Sequence, residues 1–379
     1  MAKRALLSYI THPFSLSRDD PRSLGHISIW HAVEMVRALN ELGYGVDVVG
    51  YQDRRFVPRR PYDLFIGHGG TNYERIARRL EPGTVKIYFS SGCYWRFHNE
   101  QELLRLEALR ARRGVELPPD RLIRHSEEGA LRAAHAILGL GNGFTRSTYA
   151  DFSRVTMLNG TVLDDHHFAG ESKDYDSGRG HFLFFAGRGN VHKGLDLLLE
   201  AFSGLQQHLW ICTEINPPFG EAYRHELQEL PNVHLVGWTQ LRSREYYELV
   251  DRCNFAILPS CSEGQAQSVV ECMGQGLIPM VSRASGLDLE GFGFVLEPCN
   301  VKQIAHKVQE VTGYSAGHCR ELSLRTWEVA RTRFSEQVFP AEFRKAVQTV
   351  VERAHGGRTP GSSLEDGAKS ERTRYVCRH

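Results

Sequence analysis

The chain has 379 residues, 41% of them hydrophobic, with 46 lysines and arginines against 45 aspartates and glutamates. A net charge of +1 excludes bulk electrostatic attraction to nucleic acid, and no apolar run approaches the ~18 residues that a membrane-spanning helix needs. The eight cysteines form no C-x-x-C pair and several lie in apolar segments, which points to buried reduced thiols rather than a disulfide or zinc framework.

In chain order, "ALLSYI" (Ala5–Ile10) reads as a first strand. Its apolar run is short, breaks at His12–Pro13 and lacks a small-residue cleavage site, unlike a signal peptide. A polar loop leads to "HISIWHAVEMVRALNELG". There Ile29, Val33, Val36 and Leu39 share one helical face, and Gly43 provides a left-handed cap. "VDVVGY", "YDLFIGH", "VKIYFSS", "AHAILGL" and "RVTMLNGT" continue the strands. The stretch "AGESKDYDSGRG" (Ala169–Gly180) is polar and without periodicity, and reads as a linker. Strands then resume with "HFLFFAG", "HLWICTE", "VHLVGW", "NFAILPS", "IPMVSR" and "FGFVLEP", separated by helical patterns such as "KGLDLLLEAFSGL" and "SREYYELVDRC". Two helical stretches, about Gly317–Arg333 and Glu336–Arg353, follow the last strand. The polar tail from His355 has the composition of a disordered segment.

Apolar strands alternating with helices imply parallel sheets covered on both faces. Two such sets predict an α/β protein of two doubly wound, Rossmann-like domains facing a cleft. Ligands in such domains lie beyond the carboxyl ends of the strands. The expected boundaries are 1–168 for the first domain, 169–180 for the linker, 181–334 for the second domain, 335–354 for a helix packing back on the first, and 355–379 for the tail.

Two glycine patterns do not carry the chemistry they resemble. In "GLGNGF" (Gly139–Phe144) the third glycine comes one position early for G-x-G-x-x-G, and "GRGNVHKG" (Gly187–Gly194) lacks the G-K-[ST] of a P-loop. The latter still sets Arg188 at a strand end and Lys193 at the start of a helix, a placement that suits phosphate. In "CSEGQAQSVVECMGQGLIP", Glu263 and Glu271 stand eight apart in an apolar, glycine-bounded stretch. Ser262 and Gln265 have capping-box spacing. Carboxylates in such surroundings call for partners. A ligand with hydroxyls at both ends and phosphate in the middle would satisfy both glutamates and both cations.

These segments resemble the retaining glycosyltransferases of family 4, which have the GT-B fold. "EGQAQSVVECMGQGLIPMV" is similar to that family's paired-glutamate signature, "GR…KGLDLLLEAF" to its diphosphate-binding strand and helix, and "VTMLNGTVLDDHHF" (Val155–Phe168) to its interdomain crossover. The resemblance covers most of residues 1–353 and is sharper in the second half. It implies that Gly187, Arg188 and Lys193 hold the diphosphate of a nucleotide-sugar. By the same implication, Glu263 with the amides of Gly264, Gln265 and Ala266 holds the transferred sugar, and Glu271 the ribose. Arg188, Lys193 and Glu263 would carry catalysis. The pattern departs at Gln265 and Ala266, at Ser90 where the family commonly has histidine, and in the loop Ser15–Gly25, which lacks the usual glycine pair. His68 keeps a histidine at a strand end; His68 and Ser90 are the candidate acceptor contacts.

The resemblance thus implies an enzyme without metal or other cofactor, using a nucleotide-sugar donor and a glycan, lipid-linked or small-molecule acceptor. The alternative is a sugar-nucleotide-binding pseudoenzyme or interaction protein of the same fold. Asp174 and Asp176 match the D-x-D of metal-dependent glycosyltransferases but fall in the linker. No His, Cys or carboxylate cluster stands out as a metal site. A cytoplasmic location is expected, with peripheral membrane contact through the helix bearing Arg105, Arg110, Arg112 and Arg113.

Overall fold

The computed structural model describes residues 3–15 and 26–356. The loop without a glycine pair, apart from Ser15, and the tail beyond Gly356 lie outside these residues. The first domain orders strands β1 (Lys3–Tyr9), β2 (Tyr44–Gly50), β3 (Leu64–Gly67), β4 (Val85–Ser90), β5 (Ala136–Leu140) and β6 (Val155–Leu158) with helices α1 (Ile27–Glu41), α2 (Gly70–Ala77), α3 (Trp95–Arg113), α4 (Glu128–Ala133) and α5 (Gly143–Ser147). The second domain has β7 (His181–Phe185), β8 (His208–Cys212), β9 (Val233–Leu235), β10 (Phe255–Leu258), β11 (Ile278–Ser282) and β12 (Phe294–Leu296). Its helices are α6 (Leu195–Phe202), α7 (Pro217–Ala222), α8 (Arg224–Gln228), α9 (Arg244–Arg252), α10 (Gln267–Gly274), α11 (Val301–Thr312) and α12 (Ala316–Arg333). Helix α13 (Val338–Gly356) ends the described chain.

Both sheets are six-stranded and parallel, in the orders β2-β1-β3-β4-β5-β6 and β12-β11-β10-β7-β8-β9. Apolar clusters cover both faces of each sheet, which is why the strands read as continuous apolar runs. The second order is that of a dinucleotide-binding sheet. Its switch point lies between β7 and β10, where consecutive crossovers leave in opposite directions and open a crevice at the carboxyl ends. The corresponding point of the first sheet lies between β1 and β3.

Two helices cross the domain boundary. Phe339, Phe343 and Val347 of α13 bury into the core of the first domain, with the ring of Phe339 stacked on His31 at 4.1 Å. Helix α3 makes the opposite crossing: Leu109 is buried within the apolar core of the second domain. Gly43 follows α1 at φ 84°, as its cap role requires. Helix α11 was not among the expected elements, although Ile304, Val308 and Val311 repeat at helical spacing and Asn300 caps it by accepting from the Gln303 amide.

Candidate active site

The switch point decides which loops meet. The loop after β7 carries Lys193 and the loop after β10 carries Glu263, and the two side chains form an ion pair. The Ser260 hydroxyl donates to the same Glu263 oxygen at 2.6 Å. Burial pushes the Glu263 carboxyl up, but Lys193, His192 and the Ser260 hydroxyl outweigh it and hold it down at about 2. Glu263 therefore stays ionised throughout the physiological range.

Glu263 and Gly264 line a cavity of about 280 Å³ between the domains, together with His68, Ser90, Cys93, His98 and Arg121 of the first domain. His68 Nδ1 lies 2.9 Å from the Phe89 carbonyl, which can only accept, so Nδ1 carries the proton and Nε2 a lone pair. Burial lowers the pKa of His68, which keeps the ring neutral. The Cys93 thiol donates to the Glu263 carbonyl at 2.8 Å. Gly264 presses against the first domain: a Cβ there would run into the Ser91 carbonyl and come 2.9 Å from that of Leu140. Thr145 Oγ1 donates to the Gly264 carbonyl at 2.7 Å. The contact needs a glycine because backbone meets backbone.

Several expected placements change. Helix α10 starts at Gln267, and Ala266 precedes it with no side-chain cap; the Ser262 hydroxyl does not cap the helix and is buried without a hydrogen-bond acceptor or donor among the described residues. The Ala266 amide donates to the Ser285 carbonyl at 2.8 Å, so it is not open to a sugar. Gln265 Oε1 accepts from the Gly160 amide at 2.5 Å and ties down the crossover instead. The Ser90 hydroxyl is engaged with Tyr149 at 2.7 Å and with Gly92, leaving it little freedom as an acceptor contact. Gly187 lies just past β7, its carbonyl accepting from Thr213 Oγ1 at 3.1 Å. Arg188 leans into solvent, 82% exposed and 3.5 Å from Glu214, and does not line the cavity.

Glu271 departs furthest from the role implied for it. It is buried outside the cavity, 2.8 Å from Arg242 Nη2, in a network that reaches Asp165 of the crossover. Tyr247 Oη and Gln275 Nε2 each donate to Asp165 at 2.9 Å. Burial pushes the Glu271 carboxyl up to about 7 against the pull of Arg242. Its Oε1 and Arg242 Nη1 have no hydrogen-bond partner among the described residues.

The arginines of α3 do not form a membrane-facing patch. Arg105 donates to the Pro259 carbonyl at 3.1 Å. Arg112 pairs with Asp196 at 2.6 Å and Glu200 at 2.9 Å, and Arg113 pairs with Glu226 and lies over the Tyr223 ring at 4.3 Å. All three fasten the first domain to the second; Arg110 is left exposed. Asp174 accepts from the amides of Asp176 and Ser177, so the D-x-D letters form a local turn.

Two parallel six-stranded domains around such a cavity are the GT-B fold. Residues 180–313 match the family model of the Glycosyl transferases group 1, so the matched segment is the second domain. The sucrose-phosphate synthase of Thermosynechococcus elongatus superposes with a TM-score of 0.62 at 14% identity, covering 93% of this chain and 100% of that one. HepE of Anabaena, in complex with UDP-glucose, gives 0.59 at 11%, covering 92% and 100%. TarM gives 0.54 at 14% over 76% of this chain, which spans 54% of TarM's length. No curated protein sequence matches the chain. Among the described residues, no helix is long and apolar enough to cross a membrane.

Proposed function

We propose that the chain is a retaining, metal-independent glycosyltransferase of the family 4 type, moving a sugar from a nucleoside-diphosphate sugar to an acceptor hydroxyl in glycan or polysaccharide biosynthesis. The observation that carries this is Glu263 at the switch point, which lines the interdomain cavity with His68 and is held by an ion pair to Lys193. The reaction breaks the bond between the sugar and the diphosphate. Negative charge grows on the leaving oxygen, and Lys193 meets it from a fixed position. Glu263 pins that ammonium and, being ionised, accepts hydrogen bonds from the hydroxyls of the sugar. The acceptor hydroxyl approaches from the first domain, where His68 Nε2 accepts its hydrogen bond. Its proton passes to the leaving phosphate on the same face, as the family resemblance implies.

The test is incubation with UDP-, GDP- and ADP-sugars and a panel of acceptors, with the product's anomeric configuration read by NMR. Retention is expected, with activity preserved in EDTA. Activity abolished by EDTA and restored by manganese or magnesium would overturn the metal-independent reading. Inversion would overturn the retaining one.

A further inference from the structure

The loop between β7 and α6 leaves a diphosphate short of donors. The amides of Lys193, Gly194 and Leu195 already donate to the carbonyls of Gly189, Val191 and Asn190. The N-terminus of α6 therefore offers none of these three. Arg188 points to solvent, and the charge of Lys193 is largely answered by Glu263. A dianionic leaving group would face too little positive charge from the second domain alone.

Arg121 lies on the opposite wall. It belongs to the segment that follows α3, and it lines the cavity with Glu263 and His68. Its stem lies against Gly189 so closely that a Cβ there would come 2.6 Å from Cγ and 2.9 Å from Cδ. Among the described residues, no carboxylate pairs with its guanidinium. The neighbouring Asp120 accepts instead from Asn216 Nδ2 of the second domain at 3.0 Å.

The main chain of Arg121 is held firmly for an exposed residue. Glu102 Oε1 accepts from the amides of Asp120 at 2.9 Å and Arg121 at 2.8 Å. His98 Nε2 donates to the Arg121 carbonyl at 2.8 Å. Glu102 and His98 are buried, and the His98 ring packs on His192 of the second domain at 4.6 Å. A buried cluster spanning both domains thus fixes the backbone of a residue whose guanidinium is unpaired. That is how a ligand-binding group is preorganised: rigid support beneath, open donors above.

We infer that Arg121 is the second cation of the diphosphate site, supplied by the first domain, so that the site is complete only when the domains are closed. This rests on the glycosyltransferase reading. The planar guanidinium can hold two phosphate oxygens at once, where Lys193 supplies a point charge.

Calorimetry with UDP, GDP and ADP, and with the matching nucleosides, tests it on wild type and on the Arg121→Ala, Arg121→Lys and Arg188→Ala variants. For whichever diphosphate binds, Arg121→Ala should weaken binding by roughly 10–100-fold, the usual scale for a charged hydrogen bond. Arg121→Lys should recover part of that, and Arg188→Ala should change it less than about fivefold, as for an exposed ion pair. Nucleoside affinity should not move, which a merely structural loss would not spare. Thermal melts of the three variants should match wild type. If wild type binds and Arg121→Ala binds equally well, the inference alone is overturned. If wild type binds none of the three diphosphates, the glycosyltransferase reading falls and takes the inference with it.

Discussion

Glu263 and Glu271 stand eight residues apart on one loop and helix, and their surroundings oppose each other. Glu263 has an ammonium, a hydroxyl and an open cavity, and its carboxyl is held down at about 2. Glu271 has a single guanidinium in a buried network, one oxygen without a partner among the described residues, and a carboxyl pushed up to about 7. Both are largely removed from water, so burial does not separate them; the number of partners does. Two carboxylates that look alike in sequence thus divide into one that faces the cavity and one that is tied through Arg242 to the crossover.

The largest expected effect separates them by stability. Replacing Glu271 by leucine leaves Arg242 as a buried charge without its partner, which costs on the order of 3–5 kcal/mol. The double change Glu271→Leu with Arg242→Met should recover most of that loss in urea unfolding. Near-wild-type stability for the single variant would mean that the pair is not buried in solution, and the contrast with Glu263 would collapse.

Next in size is the loss of Lys193. Lys193→Ala should lower transfer by roughly 10²–10³, the scale for one preorganised stabilising group. Its melting temperature should shift far less than that of Glu271→Leu, because Ser260 remains on Glu263. A large melting shift with transfer intact would assign Lys193 to the frame of the second domain rather than to the donor.

The smallest effect is in pH dependence, and it has opposite signs at the two sites. The Glu271 pKa is raised from 4.5 to about 7, so the folded state holds the proton more tightly. That contribution to stability is complete below about pH 4.5 and disappears as pH rises through 7. The Glu263 pKa is lowered from 4.5 to about 2, so its contribution is present above 4.5 and lost as pH falls through 2. Stability profiles of Glu271→Gln and Glu263→Gln should therefore diverge from wild type in different windows, between 4.5 and 7 and between 4.5 and 2. Divergence of both in one window would contradict the assigned environments.

Much of the fold was legible because strands buried on both faces cannot alternate. "HFLFFAG" and "NFAILPS" had to be interior parallel strands, and their loops had to open at one sheet edge. Lys193 and Glu263 could be named for the same reason, since each follows such a strand. Helix α3 was legible as a helix but not as a bridge. Its arginines gain their partners from Asp196, Glu200 and Glu226, about a hundred residues away, and nothing local distinguishes a solvated charge run from one aimed at another domain. Arg121 was invisible for the same reason. "ELPPDRLIRH" has no motif, and the residue matters only where its segment is laid against Gly189.

The sequence by itself determined two doubly wound domains and the pair of loops that meet at the second switch point. Local periodicity and strand burial are properties of a few adjacent residues. Tertiary structure alone decided that Gly264 closes against Ser91 and Leu140, that Glu271 turns to Arg242, and that the segment after α3 lays Arg121 against Gly189. Each is a choice among partners distant in the chain, made by close packing and by the need of every buried charge for a counterpart.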